Sequence, residues 1–407
     1  MLTNYLKLAI KVLLRRKFFT FVSFFGVCFT LTVLIVATAM LDHEFSAHYP
    51  ELKLDRMVGV HRARMSGPTN SRDAAAGYRV IERTVRKLEG AERITVFQLH
   101  EQVAAYQDGR KLTLWLKHAD GEFWRVFDFD FVEGAPYSQV DEERAGFVAV
   151  INESTRRALF GGASALGKSI EVDGQRFRIT GVVRDVPFTR IRPFSDVWVP
   201  ISTMKSASYR EEMIGSFMAV VLAKQKGDIP ALRRQFDELV RAMPLPDPVR
   251  FTRYETALET PFESLARTME LPSPNALRGI FLLFAVLFMT LPAINLVNLN
   301  LSRILERSSE IGVRRAFGAT RATLIGQFVV ENVVLTLIGG VLALGLSAIT
   351  LSLINGSGLI PYAQFTINFR IFLWGFVIAL AFGLFSGVYP AWRMSRMSPV
   401  NALKGNA

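Results

Sequence analysis

The sequence predicts an α-helical membrane protein with four transmembrane helices and a large α/β extracytoplasmic domain between helices 1 and 2. Three observations carry this. The 407 residues are 50% hydrophobic, and the apolar ones gather in four runs. Residues 18–41, 280–302 and 371–392 hold no charge, and residues 322–354 hold only Glu331. A helix needs about 20 apolar residues to cross a roughly 30 Å hydrocarbon core. The net charge of +12 is concentrated beside these runs, while the long stretch 42–279 is close to neutral.

Residues 1–17 carry Lys7, Lys11, Arg15, Arg16 and Lys17 without an acid. Tyr5, Leu6, Ala9, Ile10, Leu13 and Leu14 recur at helical spacing between them, which reads as an amphipathic helix on the inner membrane surface. Residues 18–41 form the first span. A cleaved signal peptide would share the basic start and the Ala37-Thr38-Ala39 site, but this apolar run exceeds the 7–15 residues of a signal core. Residues 42–279 are the outer domain with its stalk. The second span is 280–302, a cytoplasmic segment is 303–321, and the third span is 322–354. A short outer loop follows at 355–370, the fourth span at 371–392 and a cytoplasmic tail at 393–407. Segment 303–321 has five Arg and two Glu, and the tail has Arg393, Arg396 and Lys404. This positive-inside bias places both termini in the cytoplasm. It also argues against nucleic acid, since the excess charge flanks the spans.

Within the outer domain, residues 57–65, 94–106, 111–118, 148–151, 196–202 and 217–223 read as strands. Residues 72–88, 153–160 and 229–242 read as helices, and 170–183 as a hairpin. An Asp108-Gly109 turn separates two of the strands. The aromatic run 123–129 reads as a packed short helix or turn. Pro244, Pro246 and Pro248 mark an exposed connection, and Pro272 and Pro274 interrupt the stalk expected over 262–279. The only cysteine, Cys28, lies in the first span, so the outer domain is expected to hold together by its core alone. His43, His48, His61, His100 and His118 show no zinc-ligand spacing, and no nucleophile constellation is present. No catalytic, cofactor-binding or metal residue is expected in this chain.

Gly162-Ala163-Ser164-Ala165-Leu166-Gly167-Lys168-Ser169 matches the phosphate-loop pattern at every position. That pattern cradles phosphate only between a strand and the N-terminus of a helix. Here a helical segment leads in and a hairpin leads out. The expected reading is a glycine-rich turn with Lys168 in water.

Two sets of residues carry a resemblance. Asn152-Glu153, Leu159-Phe160-Gly161, Leu166 to Ile170, Phe177, Gly181-Val182-Val183, Val199 to Ser202 and the run Phe123 to Phe127 ending at Gly134 resemble the periplasmic core domain of MacB-type permeases. Glu310 to Thr320, Gln327-Phe328, Glu331, Gly387 to Arg393 and Ser398 to Leu403 resemble the FtsX-like permease domain. The resemblance implies an ABC transporter permease subunit without its own nucleotide-binding domain, and hence not itself an enzyme. It implies a dimer with a second permease copy or paralogue, above a separate cytoplasmic ATPase that binds ATP and Mg. Efflux of a hydrophobic or amphipathic drug, peptide or toxin is the expected function, with a periplasmic adaptor and an outer-membrane channel as further partners. A lipoprotein-releasing permease of the LolC/LolE kind and an FtsX-like regulator of wall hydrolases are the rival readings.

In this reading Glu310, Ile311, Gly312, Arg314, Arg315, Phe317 and Gly318 are the ATPase-coupling residues. Arg314 and Arg315 would each cost about 2.5–3.5 kcal/mol at a span centre, so they belong at the cytoplasmic face. Gly318 could end the short helix, with Thr320 capping the next. Glu331 is the one acid inside a span, expected to pair with a nearby Arg. Asn295 and Asn298 are intramembrane polar groups suited to interhelical hydrogen bonds. Ala379, Gly383 and Gly387 form a small-residue ridge for close helix packing.

Overall fold

The computed structural model describes residues 11, 15, 17–107, 110–306, 313, 317, 320–370, 372–378, 380–381 and 384. Two compact units result: residues 1–42, 277–357 and 365–407, and residues 43–276 with 358–364. The Asp108-Gly109 turn and most of 1–17, 303–319 and 379–407 lie outside the described residues.

Among the described residues the first unit holds three long helices. α1 is Lys17–Phe45, and the helices Pro274–Glu306 and Arg321–Ser357 follow the outer domain. Among the described residues two stretches are long and apolar enough to cross a membrane, Thr20–Phe45 and Val329–Ser357, while Pro274–Phe288 is a shorter apolar helix. Val27, Cys28, Leu31 and Ile35 bury against Val334, Leu335 and Ala343. Glycine permits this approach. A Cβ on Gly339 would lie 3.0 Å from Val27, and one on Gly340 would lie 2.3 Å from the Phe376 ring. The described small-residue contact is therefore at Gly339-Gly340; the ridge expected at Ala379, Gly383 and Gly387 lies outside the described residues.

The second unit is built on fourteen strands: β1 (Met57–Val60), β2 (Ala63–Ser66), β3 (Ser71–Ala76), β4 (Ala91–Gln98), β5 (Glu101–Gln107), β6 (Arg110–Ala119), β7 (Phe131–Gly134), β8 (Val148–Asn152), β9 (Ser169–Val172), β10 (Gln175–Val183), β11 (Val197–Pro200), β12 (Ile214–Gly215), β13 (Phe217–Ala223) and β14 (Arg253–Thr256). Six of them close a ring in the order β6-β11-β8-β10-β9-β5. β11 joins β6 in parallel, with Val197 opposite Leu116, and joins β8 antiparallel. Leu114, Leu116, Ile151, Ile170, Phe177, Ile179 and Val199 fill this barrel.

The remaining strands form an open sheet in which β13 is central, between β1 and β4. Its run Phe217–Ala223 is apolar throughout because both faces are covered. Phe217, Ala219 and Val221 face one core with Phe236 of α6 (below), whereas Val220 and Leu222 face an aromatic core with Phe97, Phe123, Trp124, Phe127 and Trp198. The period-two pleat thus feeds two cores from one strand. Six short helices complete the unit: α2 (Tyr78–Arg83), α3 (Phe123–Val126), α4 (Gln139–Glu143), α5 (Glu153–Phe160), α6 (Ile229–Arg241) and α7 (Pro261–Thr268). The long helices after it are α8 (Pro274–Glu306) and α9 (Arg321–Ser357).

Three local expectations are corrected. Residues 72–88 are not one helix; β3 takes the alanine-rich half by pairing with β2, where Arg64 faces Asp73. Tertiary pairing overrides a weak helical preference here. Residues 57–65 divide into β1 and β2, and 94–106 into β4 and β5. The second division falls at Leu99, whose N–H donates to Ser216 C=O at 2.6 Å.

Candidate coupling junction of the outer domain

Of the expected coupling residues, Glu310, Ile311, Gly312, Arg314, Arg315 and Gly318 lie outside the described residues. Phe317 is described and is 88% exposed. Its N–H donates to Val313 C=O at 3.1 Å, one helical turn back. Thr320 Oγ1 accepts the Thr323 N–H at 3.3 Å, an N-cap for α9. Glu331 is buried in α9 and accepts a bond from Gln327 Nε2 at 3.0 Å, again one turn back. Asn295 and Asn298 lie in α8.

The described geometry brings a second group together, within the outer unit, that the sequence reading missed. α1 ends at Phe45 with its last carbonyls unpaired by its own backbone. Arg190 reaches them: its Nη2 donates to His43 C=O and, at 2.8 Å, to Ser46 C=O. Its Nη1 donates to Glu51 Oε2 at 2.8 Å, and Arg192 Nη2 lies 2.6 Å from Glu51 Oε1. These side chains are sealed from water, with Arg190 1%, Glu51 2% and Arg192 7% exposed. A guanidinium at a helix C-terminus also meets the negative end of the helix dipole.

The segment bearing both arginines is itself fixed. Lys117 is fully buried, and its Nζ donates to the carbonyls of Ile191 at 3.1 Å and Arg192 at 2.8 Å. It also lies 4.9 Å from the centre of the Phe97 ring, a cation–π distance. Burial pushes the Lys117 ammonium pKa well below its ordinary value. Burial likewise holds His61 down at about 3, with the Arg192 charge adding to it, and His100 at about 4. The loop after α9 joins the same segment: Phe188 N–H donates to Pro361 C=O at 3.0 Å, and Tyr362 OH to Asp196 Oδ1 at 2.9 Å. The start of α7 meets the end of α1, where Phe262 packs edge-on to Phe45 at 5.3 Å. The outer-unit residues at the end of α1 and after α9 are therefore tied together around residues 187–196. One local signal was present in the sequence: two arginines alternating between Pro187 and Pro193.

The phosphate-loop match takes the arrangement that excludes phosphate cradling. α5 leads in and ends on Gly161 at φ 60°, and β9 leads out. Lys168 lies over the Phe160 ring at 4.8 Å. Among the described residues no cluster of His, Cys, Asp or Glu is arranged to hold a metal.

Membrane-length helices bracketing a barrel-and-sheet outer domain define a class, the membrane permeases with an extracytoplasmic α/β domain. The model of the MacB-like periplasmic core domain matches residues 20–239, and that of the FtsX-like permease C-terminal domain matches residues 282–399. The chain belongs to the MacB/FtsX-type ABC transporter permeases. Neither matched model is an ATPase domain. The chain is 24% identical over 344 residues to the uncharacterized ABC transporter permease YknZ of Bacillus subtilis, covering 82% of this chain and 81% of that one. It is 25% identical over 293 residues to the pyoverdine export ATP-binding/permease protein PvdT of Pseudomonas aeruginosa, covering 69% and 41%. It is 25% identical over 283 residues to the macrolide export ATP-binding/permease protein MacB of Bdellovibrio bacteriovorus, covering 67% and 41%. The matched region thus spans under half the length of those two exporters.

Proposed function

We propose that this chain is the permease subunit of an efflux system in a bacterial inner membrane. It crosses the membrane four times with both termini inside, and it pairs with a second copy or a paralogue. A separate cytoplasmic ABC ATPase, loaded with ATP and Mg, docks on residues 303–321 through Arg314 and Arg315. Its cycle moves the helices, and the outer domain follows through the end of α1 that Arg190 grips, a rigid-body mode of switching. The cargo is hydrophobic or amphipathic, and an adaptor and outer-membrane channel carry it onward. The observation that supports this reading best is the pair of family matches, in order, across residues 20–239 and 282–399. Relatives named for macrolide and pyoverdine export favour efflux over lipoprotein release or wall-hydrolase signalling.

The test is co-purification with each candidate ATPase from the same genome. An ATPase is expected to come down with the wild-type chain and to be lost with Arg314→Glu/Arg315→Glu. A well-folded membrane protein that retains no ATPase in either form would sink the reading.

A further inference from the structure

Among the described residues β14 pairs with β2 alone and ends the strand order of its sheet. A cleft of about 810 Å³ lies beside it, lined by all four of its residues and by side chains of α6 and α7. The pleat sends successive side chains to opposite faces of a sheet. Glu255 stands opposite Arg64, and Arg64 opposite Asp73, so these three share one face. Tyr254 points to the other, where its OH donates to Met213 C=O at 2.9 Å and Val240 packs against the same core. Residues of both faces line the cleft. A cleft that touches both faces of a terminal strand passes round its open edge. The unpaired N–H and C=O groups of that edge therefore face it.

The same cleft holds an acid short of a partner. Glu259, one of its lining residues, is 8% exposed. Its Oε1 lies 2.8 Å from Arg267 Nε, while its Oε2 is buried without a hydrogen-bond partner. Burial raises the Glu259 carboxyl above its ordinary value, as for an acid with too little counter-charge. Asp237, exposed on α6, lines the cleft as well, and its carboxylate makes no ion pair among the described residues. The open edge calls for a strand and the unpaired acids call for a cation. An extended peptide with a basic side chain supplies both. The edge is four residues long, about 13 Å at the rise of a strand. That is too short for a folded partner, whose specific interfaces bury about 1,200 Å² or more.

We propose that the outer unit binds a short, free, basic peptide, which lies extended along β14 as an added strand and sets a lysine or arginine side chain on Glu259 and Asp237. Main-chain hydrogen bonds along Arg253–Thr256 supply affinity that is indifferent to sequence, and the two acids select charge. The cleft lies wholly within the outer unit, so the site stands whatever the chain exports.

The experiment uses the full chain in an uncharged detergent and a dye-labelled pentapeptide of alternating threonine and lysine. Fluorescence anisotropy is expected to show saturable binding. Three changes should each weaken it by about tenfold or more: glutamate in place of lysine, methylation of the peptide's backbone nitrogens, and Asp237→Asn/Glu259→Gln in the protein. Asp237→Asn alone, at an exposed position, replaces the double variant if that one does not fold, and should weaken the lysine peptide in the same direction. Hydrogen exchange then locates the contact. Bound peptide should slow exchange at Arg253–Thr256 and leave β7 unchanged, a strand that pairs with β10 alone. An N-methylated peptide that binds as well as the parent overturns strand addition. A glutamate peptide that binds equally overturns the role of the acids. No binding, or protection that spares β14, overturns the proposal as a whole.

Discussion

The interior of the barrel and the base of the outer domain are buried to the same degree with opposite materials. The barrel is filled by Leu116, Ile151, Phe177, Ile179 and their neighbours. The base buries Arg190, Arg192, Lys117 and Glu51. Apolar packing is non-directional and roughly proportional to area, so it stabilises without aiming anything. A buried ion pair gives up solvation that its attraction hardly recovers, so it is weak evidence for stability. Its hydrogen bonds are directional, however, and these point at the end of α1. The contrast teaches that one part of the domain supplies stability and another holds the backbone at His43 and Ser46 in place.

The largest expected effect would break this contrast. Glu51→Gln strands two buried cations and should cost about 3–5 kcal/mol. Phe177→Ala in the barrel should cost about as much by leaving a cavity. Both are read by thermal unfolding of the full chain in detergent. The informative variant is the apolar replacement Glu51→Met/Arg190→Met/Arg192→Leu, expected to be neutral or up to about 1–4 kcal/mol more stable. If the base transmits motion, that variant folds but loses transport in a vesicle efflux assay. If it transports normally, the arginines serve packing alone.

Acid sharpens the contrast next. His61 and His100 lie by the base, held at about 3 and about 4 by burial against an ordinary 6.5. Their folded-state pKa values are depressed, so the folded state binds protons less readily than the unfolded one. The stability tied to this is complete above pH 6.5 and is lost as pH falls toward 4 and then 3. Hydrogen exchange across that window should open the base before the barrel, and His61→Leu should flatten the slope. Equal protection loss in both regions would remove the distinction.

The smallest effect concerns the phosphate-loop look-alike. Lys168→Ala removes a surface cation–π pair and should cost about 0.5–1 kcal/mol. Calorimetry with ATP and Mg on the wild-type outer face should show no binding that this substitution abolishes.

Sequence alone was enough where the determinants are local. α5 runs over Glu153–Phe160 as expected because Asn152 caps it, accepting the Thr155 N–H at 2.8 Å, and Gly161 ends it in the left-handed region. β13 matched its apolar run because a strand covered on both faces has no polar side. Other elements owe their form to distant partners. β3 is alanine-rich and looks helical until β2 pairs with it. β14 reads Arg-Tyr-Glu-Thr, with no apolar alternation, and exists because Ala63–Ser66 offers an edge. The junction was hidden for the same reason. Arg190 is separated from its acceptor at Ser46 by 144 residues, and no spacing rule links them. The small residues at 379–387 drew notice for their period, whereas Gly339 and Gly340 sit in a run where glycine looks ordinary. Only the nearness of Val27 and Phe376 shows why they are needed.

The ring closure of the barrel also bears on how the protein is made. The strand that completes the circle, β11, pairs with β6 and β8, and β6 precedes it by most of the barrel sequence. A chain emerging from its N-terminal end delivers β6 and β8 while the edges that β11 will join are still open. Free edges invite pairing with other chains, and late, non-local closure is slow. Closure of the barrel should therefore wait until Val197–Pro200 has emerged.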